Sequence, residues 1–187
     1  MISIKRILSG FSISLLIYGI PIKSAETVTL INGSFSKSIK VSDIEYLSKK
    51  RKAKGSLKGI IKMSNQKEEE VAKQLNETYE MPIILTSKLL NSKIGEVFIG
   101  RASKIIHPIR VSKKEVSILA IRAGIIKGIY LGKGSLSIMN FIKGYPNKVM
   151  AVNMPALLKV INKVESISEL VQFFSDSPLD RLKNSNQ

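Results

Sequence analysis

Residues 112–131 (SKKEVSILAIRAGIIKGIYL) constrain the fold more than any other stretch of the chain. Apolar residues fall on every face of a helix drawn through them, a pattern that predicts a helix buried on all sides. The stretch holds fewer apolar residues than the roughly 20 of a membrane span, and Arg122 lies in its middle. Ser112 and Glu115 have the spacing of a capping box, which predicts the start of the helix.

Two further predictions concern the contacts of this central helix. Small residues recur every four positions and form a smooth ridge where a neighbouring helix can approach closely, namely Ala120, Gly124 and Gly128. Arg122 would be buried in mid-helix and would therefore need a carboxylate partner. Glu96 and Glu45 are the candidates for that partner.

A β-hairpin is predicted over residues 27–41. Apolar and polar residues alternate over 27–41 on both sides of Asn32-Gly33, a dipeptide typical of tight hairpin turns. A two-residue turn at that dipeptide would place Leu30 opposite Phe35. A lone hairpin is only marginally stable, so a third strand or a helix must cover it.

The remaining segments predict short helices and one more strand. Capping residues, prolines and apolar periodicity bound the helices at about 42–49, 56–63, 66–80, 83–91, 93–106, 135–143, 155–163 and 168–174. Residues 148–153 are β-prone, and we expect them to return to the hairpin as a third strand. The fold class is therefore mainly α: a multi-helix bundle around the central buried helix (112–131), with a small antiparallel hairpin (27–41) and a third strand (148–153).

The two ends of the chain differ from the middle. Residues 1–25 have the pattern of an export signal, with a positive start, an apolar run over 7–20 and small Ala25 at the cleavage point. An uncleaved membrane anchor at 7–20 is the alternative. We expect a single helical domain over 26–175 and a frayed polar tail over 176–187. The expected location is the periplasm or the cell exterior, with anchoring by 7–20 as a variant.

The chain is strongly basic, with 30 Lys+Arg against 14 Asp+Glu and a formal net charge of +16. One interpretation is contact with an anionic surface; the other is a lysine-rich residue usage that leaves a solvated loop between two short helices. Aromatic residues do not interleave with the densest basic run, which argues against nucleic acid as a partner. The candidate contacts to an anionic surface are Lys49, Lys50, Arg51, Lys52, Lys54, Lys58 and Lys62.

No pattern in the sequence carries recognisable catalytic chemistry. The chain contains no cysteine, which excludes disulfides and thiolate chemistry. Its one histidine, His107, precedes a proline and is interpreted as a helix-end residue rather than a catalytic base. The turn at 132–134 lacks the spacing of a phosphate-binding loop. We therefore assign no catalytic, cofactor-binding or metal-binding residue and expect no cofactor.

A family resemblance rests on several short matches in a fixed order. They are Ala25-Glu26, Leu30, Gly33, Phe35, Ser38-Ile39, Val41, Asp43-Ile44-Glu45, Ile94-Gly95-Glu96, Ile121-Arg122-Ala123, Asn140 and Tyr145-Pro146. In this pattern the mature chain resembles a domain of unknown function in secreted cyanobacterial proteins, where it often precedes an alpha/beta hydrolase catalytic domain. The catalytic module of that family carries a G-x-S-x-G serine elbow, and this sequence contains none.

The resemblance implies an exported, non-catalytic helical domain that serves as an interaction or accessory module, with a hydrolase or an envelope component as its protein partner. A basic domain that binds anionic lipid at a membrane surface is the first alternative. An esterase or lipase, supported by the family label alone, is the second. The oligomeric state does not follow from the sequence.

Overall fold

The computed structural model of the protein describes residues 24–111 and 113–161. Nearly all of the expected export signal lies outside these residues, as do Ser112, the predicted helix at 168–174 and the tail at 176–187. Within the described residues the fold is mainly α, as predicted, with eight helices and a small mixed sheet.

The eight helices are short except for the sixth. They are α1 (Val41–Lys50), α2 (Gly55–Met63), α3 (Glu68–Asn76), α4 (Ile83–Leu90), α5 (Lys93–Ala102), α6 (Lys114–Leu131), α7 (Ile138–Gly144) and α8 (Met154–Ile161). The predicted bounds of α1, α2 and α4 agree with the structure to within one residue. The starts of α4 and α5 follow from local chemistry. Helix α4 begins after Pro82, and Ser92 caps α5 by accepting a hydrogen bond from the Gly95 N–H at 3.1 Å.

Six strands form two sheets. They are β1 (Thr27–Asn32), β2 (Phe35–Lys40), β3 (Tyr79–Glu80), β4 (Ile106–Pro108), β5 (Ser135–Leu136) and β6 (Val149–Asn153). The larger sheet has the order β2-β1-β6-β4, with β1 and β6 parallel and the other two pairs antiparallel. The predicted third strand at 148–153 is therefore confirmed as β6.

The hairpin forms, but its register differs from the prediction. Asn32 pairs with Phe35 and Leu30 with Lys37, so the two loop residues are Gly33 and Ser34. Gly33 has a φ of +60°, and it alone of the two loop residues has a positive φ, as in a type II′ turn. The shift of two residues keeps each side chain on its predicted face, yet it carries Phe35 to the end of the strand, where it is 83% exposed.

Strand β4 replaces the end of a predicted helix. The helix expected over 93–106 ends at Ala102, where the Ser103 hydroxyl donates to the Gly100 carbonyl at 2.8 Å. Residues 106–108 then pair with β6, so His107 is a strand residue and its predicted helix-end role is wrong. A short apolar run suits a strand as well as a helix, and only the tertiary pairing distinguishes the two.

A second, two-stranded sheet shortens two other predicted helices. Strand β3 takes the end of the helix expected over 66–80, and β5 takes the start of the one expected over 135–143. Tyr79 pairs with Leu136, and the Met81 N–H donates to the Gly134 carbonyl at 2.8 Å. The Ser137 hydroxyl then caps α7 by accepting from the Asn140 N–H at 3.0 Å.

Helix α6 is central, since it contacts α4, α5, α7, β4 and β5. Its buried residues are Ser117, Ile118, Ala120, Ile121, Gly124, Ile125, Gly128 and Ile129. The prediction that it is buried on all sides is wrong, because Leu119 and Tyr130 are 60% and 75% exposed. The described neighbours of α6 cover only one side of the helix. Single apolar side chains on its other side are exposed to water, as is common on protein surfaces.

The predicted ridge of small residues is confirmed at Gly124 and Gly128, where α7 packs against α6. A Cβ built on Gly144 would lie 2.5 Å from the Gly124 carbonyl oxygen and 2.7 Å from the Gly128 nitrogen. Phe141 packs on Gly124 and meets Tyr145 edge to face, with ring centroids 6.0 Å apart. The two helix backbones are therefore in direct contact, and no side chain fits between them.

We predict that Gly144→Ala lowers the free energy of unfolding by about 1–3 kcal/mol, the cost of overpacking against atoms that cannot rotate away. Gly59 in α2 is the matched control, because a Cβ there has no atom within 4 Å. Gly59→Ala should raise the free energy of unfolding by about 0.5–1 kcal/mol. Urea unfolding measures both variants, and equal effects would contradict the close approach of α6 and α7.

Candidate functional site

The predicted anionic-surface contacts form a basic surface along the end of α1, the loop after it and α2, and all seven side chains are exposed. Two of them are engaged within the chain. Lys49 pairs with Glu45 at 2.8 Å, and Lys54 lies 3.7 Å from Asp43 and 4.5 Å from the ring centre of Tyr46. Among the described residues the other five form no ion pair: Lys50, Arg51, Lys52, Lys58 and Lys62.

Glu45 connects α1 to α7 rather than capping α1. Its Oε1 accepts from Lys143 at 2.7 Å and from Lys49 at 2.8 Å. These two hydrogen bonds, that of Lys143 first, lower the pKa of the Glu45 carboxyl to about 2. The helix expected over 42–49 begins at Val41, and no side chain caps it.

Among the described residues Arg122 pairs with no carboxylate, so the predicted partners Glu96 and Glu45 are both wrong. Its Nη2 donates to the carbonyl oxygen of Leu90 at 2.9 Å, at the last residue of α4. Helix C-terminal carbonyls carry a partial negative charge and lack intrahelical donors, so a guanidinium satisfies them without a counter-ion. The Arg122 Nε is buried and has no partner within the described residues.

Exposed apolar side chains lie on the three helices α4, α5 and α6, which pack pairwise against one another, and we call these side chains together the apolar face. On α4 only Thr86 and Leu90 are buried. The exposed apolar side chains of this face are Ile83 (41%), Ile84 (71%), Leu85 (66%), Leu89 (52%), Val97 (58%) and Leu119 (60%). Three consecutive apolar residues, Ile83, Ile84 and Leu85, indicate this exposure, because one short helix cannot bury all three side chains.

A cleft of about 510 Å³ lies where α5 ends, β4 begins and α6 starts. We call it the histidine cleft; it is lined by Ser103, Lys104, His107, Arg110, Val111, Lys114 and Ser117. Among the described residues the lining includes three cations and no carboxylate. Sequence reasoning did not identify this cleft, because its residues come together only when residues 106–108 leave the helix and pair with β6.

The histidine cleft brings serines near the imidazole but does not assemble a catalytic pair. His107 Nδ1 lies 3.1 Å from the carbonyl oxygen of Pro108, which can only accept, so Nδ1 is the donor in this contact. The Ser103 hydroxyl donates to Gly100 instead. Nucleophilic catalysis requires a hydroxyl bonded to the imidazole and a carboxylate that orients it. Within the described residues His107 has neither contact.

The helices of the described residues include none with the length and apolarity to cross a membrane.

These features define a helical domain with a small mixed sheet. The chain belongs to the family described as alpha/beta hydrolase of unknown function (DUF1400), whose model matches residues 24–153. Comparisons with curated proteins and with solved structures gave no match. The matched range includes every described helix and strand except α8, together with both the apolar face and the histidine cleft.

The Glu45 carboxylate should make stability depend on pH in a defined window. Its folded-state pKa of about 2 lies below its ordinary value of 4.5, so its contribution is complete above that ordinary value and is lost as pH falls towards 2. Glu45→Gln should therefore flatten the fall in unfolding free energy over this window. Glu69→Gln, at an exposed position of α3, is the control and should leave the slope unchanged; equal slopes for both variants would refute the assignment.

Proposed function

We propose that this chain is an exported, non-catalytic interaction module that docks against an alpha/beta hydrolase catalytic domain. The observation that carries the proposal is the apolar face of α4, α5 and α6. The resemblance to a domain that often precedes an alpha/beta hydrolase catalytic domain suggests the class of the partner, and the export pattern over residues 1–25 suggests the compartment.

The composition of the apolar face favours a protein partner. Four of the exposed side chains belong to α4, a helix of eight residues, and adjacent exposed apolar groups of this kind mark interaction sites on folded proteins. Lys88 on α4 and Lys93 on α5 are exposed on the same two helices. An apolar centre with a charged rim is the usual anatomy of an interface, so the partner should offer an apolar patch with carboxylates around it.

The attachment of α4 supports a rigid docking surface. Arg122 bonds to the Leu90 carbonyl, and a Cβ on Gly95 would lie 2.0 Å from the Leu89 carbonyl oxygen, so the end of α4 sits directly against α5 and α6. A helix fixed in this way loses little conformational freedom on binding.

The histidine cleft supports the non-catalytic part of the proposal. Its only imidazole is directed by a backbone carbonyl, and the nearby Ser103 hydroxyl is occupied by Gly100. An active hydrolase would need a nucleophile bonded to that imidazole.

Leu85→Glu tests the docking face. We expect the full chain to bind the purified catalytic domain of a hydrolase encoded beside it, and the variant to bind at least tenfold more weakly, because a carboxylate would be buried against apolar atoms. Met63→Glu is the control, since Met63 is 89% exposed on α2, outside the face. Isothermal titration measures both affinities.

Two outcomes would refute the docking proposal. One is no binding by the unmodified chain, or equal weakening by Leu85→Glu and Met63→Glu. The other is a marked fall in the melting temperature of Leu85→Glu in the absence of any partner, which would show that residues 162–187 of the same chain cover the face.

A second candidate function is contact with an anionic membrane surface. Five cations of the basic surface are exposed and unpaired among the described residues, and each cation near an anionic leaflet contributes about 1 kcal/mol. The double variant Lys50→Gln/Lys52→Gln should weaken binding to vesicles that contain anionic lipid, and Lys37→Gln/Lys73→Gln should not. Equal loss in both double variants, or binding that is insensitive to salt, would contradict a local contact.

A further inference from the structure

We infer that the histidine cleft is a binding site for a phosphate-type oxyanion. Three cations line it, Lys104, Arg110 and Lys114, and none of them takes part in an ion pair among the described residues. The five unpaired cations of the basic surface also lack a carboxylate partner, but these three differ from them in lining one cleft. Cations that line one cleft raise its positive potential and attract an anion.

Two buried hydroxyl groups give the cleft hydrogen-bonding capacity beyond its charge. Ser103 and Ser117 are 8% and 3% exposed, and both line the cleft. The Ser103 hydroxyl donates to Gly100. The Ser117 side chain, although more than nine-tenths buried, has no hydrogen-bond partner among the described residues, so its hydroxyl can donate to a ligand in the cleft.

The backbone of the cleft also favours an anion. Helix α6, 18 residues long, starts at its edge, and the partial positive charge of a helix N-terminus attracts oxyanions. The side chain of Lys114 lies over Gly100, where a Cβ would be 3.1 Å from its Cε and 3.3 Å from its Nζ, so the glycine admits the ammonium group to this position. Arg110 supplies a planar donor fork suited to phosphate.

The size of the cleft points to a phosphate ester rather than to free phosphate alone. A volume of about 510 Å³ lies within the roughly 300–1,000 Å³ of small-molecule sites, so a phosphate group leaves space for an organic substituent. The recognised group is a phosphate with free oxygens, carried either by a small diffusible molecule or by a phospholipid head group.

Titration calorimetry of the full chain with inorganic phosphate, at constant ionic strength, tests the site. We expect saturable binding that is weakened at least tenfold by Arg110→Gln and by Ser117→Ala. Lys37→Gln, which removes the same charge from exposed strand β2, should bind like the unmodified chain. Ser117→Ala removes no charge, so its loss of affinity separates a built site from general attraction; circular dichroism and the melting temperature verify that each variant is folded.

Two further arms identify the source of the phosphate. If the ligand is diffusible, glycerol 3-phosphate should bind more tightly than phosphate, and the cleft variants should not change binding to phosphatidic acid vesicles. If it is a head group, Arg110→Gln and Ser117→Ala should weaken vesicle binding. Failure of phosphate, glycerol 3-phosphate and vesicles to bind through the cleft would overturn the inference, as would equal weakening by Arg110→Gln and Lys37→Gln.

Discussion

The structure depends on the direct backbone contact between α6 and α7. A side chain at Gly144 would overlap the backbone at Gly124 and Gly128, so the two helices approach as closely as peptide groups allow. This contact fixes α7, whose Lys143 reaches Glu45 on α1, and α7 also contacts α3. It also fixes the fully buried Tyr145, after which the chain passes into β6 between β1 and β4. The helical layer and the sheet are thus coupled through one small-residue seam.

Several parts of this architecture were predictable because their causes are local. The spacing of Gly124 and Gly128 predicted the close contact with a neighbouring helix, and Pro82 and Ser92 predicted helix starts. The β-prone residues 148–153 predicted β6. Strands β3, β4 and β5 were not predictable, because each consists of two or three residues held by pairing with a distant segment. Local propensity has little influence on the conformation of residues that hydrogen bonds to a neighbouring strand hold in place.

Of the functional surfaces, too, some are predictable from the local sequence and others form only through tertiary contacts. The basic surface is visible in the sequence, since its lysines are consecutive or nearly so. The histidine cleft combines residues from α5, β4 and α6 and exists only because His107 leaves the predicted helix. Arg122 shows the limit of a sound rule: a buried guanidinium needs an acceptor, and the C-terminal carbonyl of α4 serves where a carboxylate was expected.

The distribution of charge gives the net positive charge a structural meaning. Three lysines near α1 have carboxylate partners: Lys143 and Lys49 both bond to Glu45, and Lys54 lies close to Asp43. Lys104, Arg110 and Lys114 have no such partner among the described residues, and they line one cleft together with the buried residue Ser117. The five unpaired cations of the basic surface lie on open surface, where water screens them. Lys104, Arg110 and Lys114 are also exposed, but they line one cleft. Convergence beside a helix N-terminus raises the electrostatic potential locally, and a bound anion is the arrangement that lowers it.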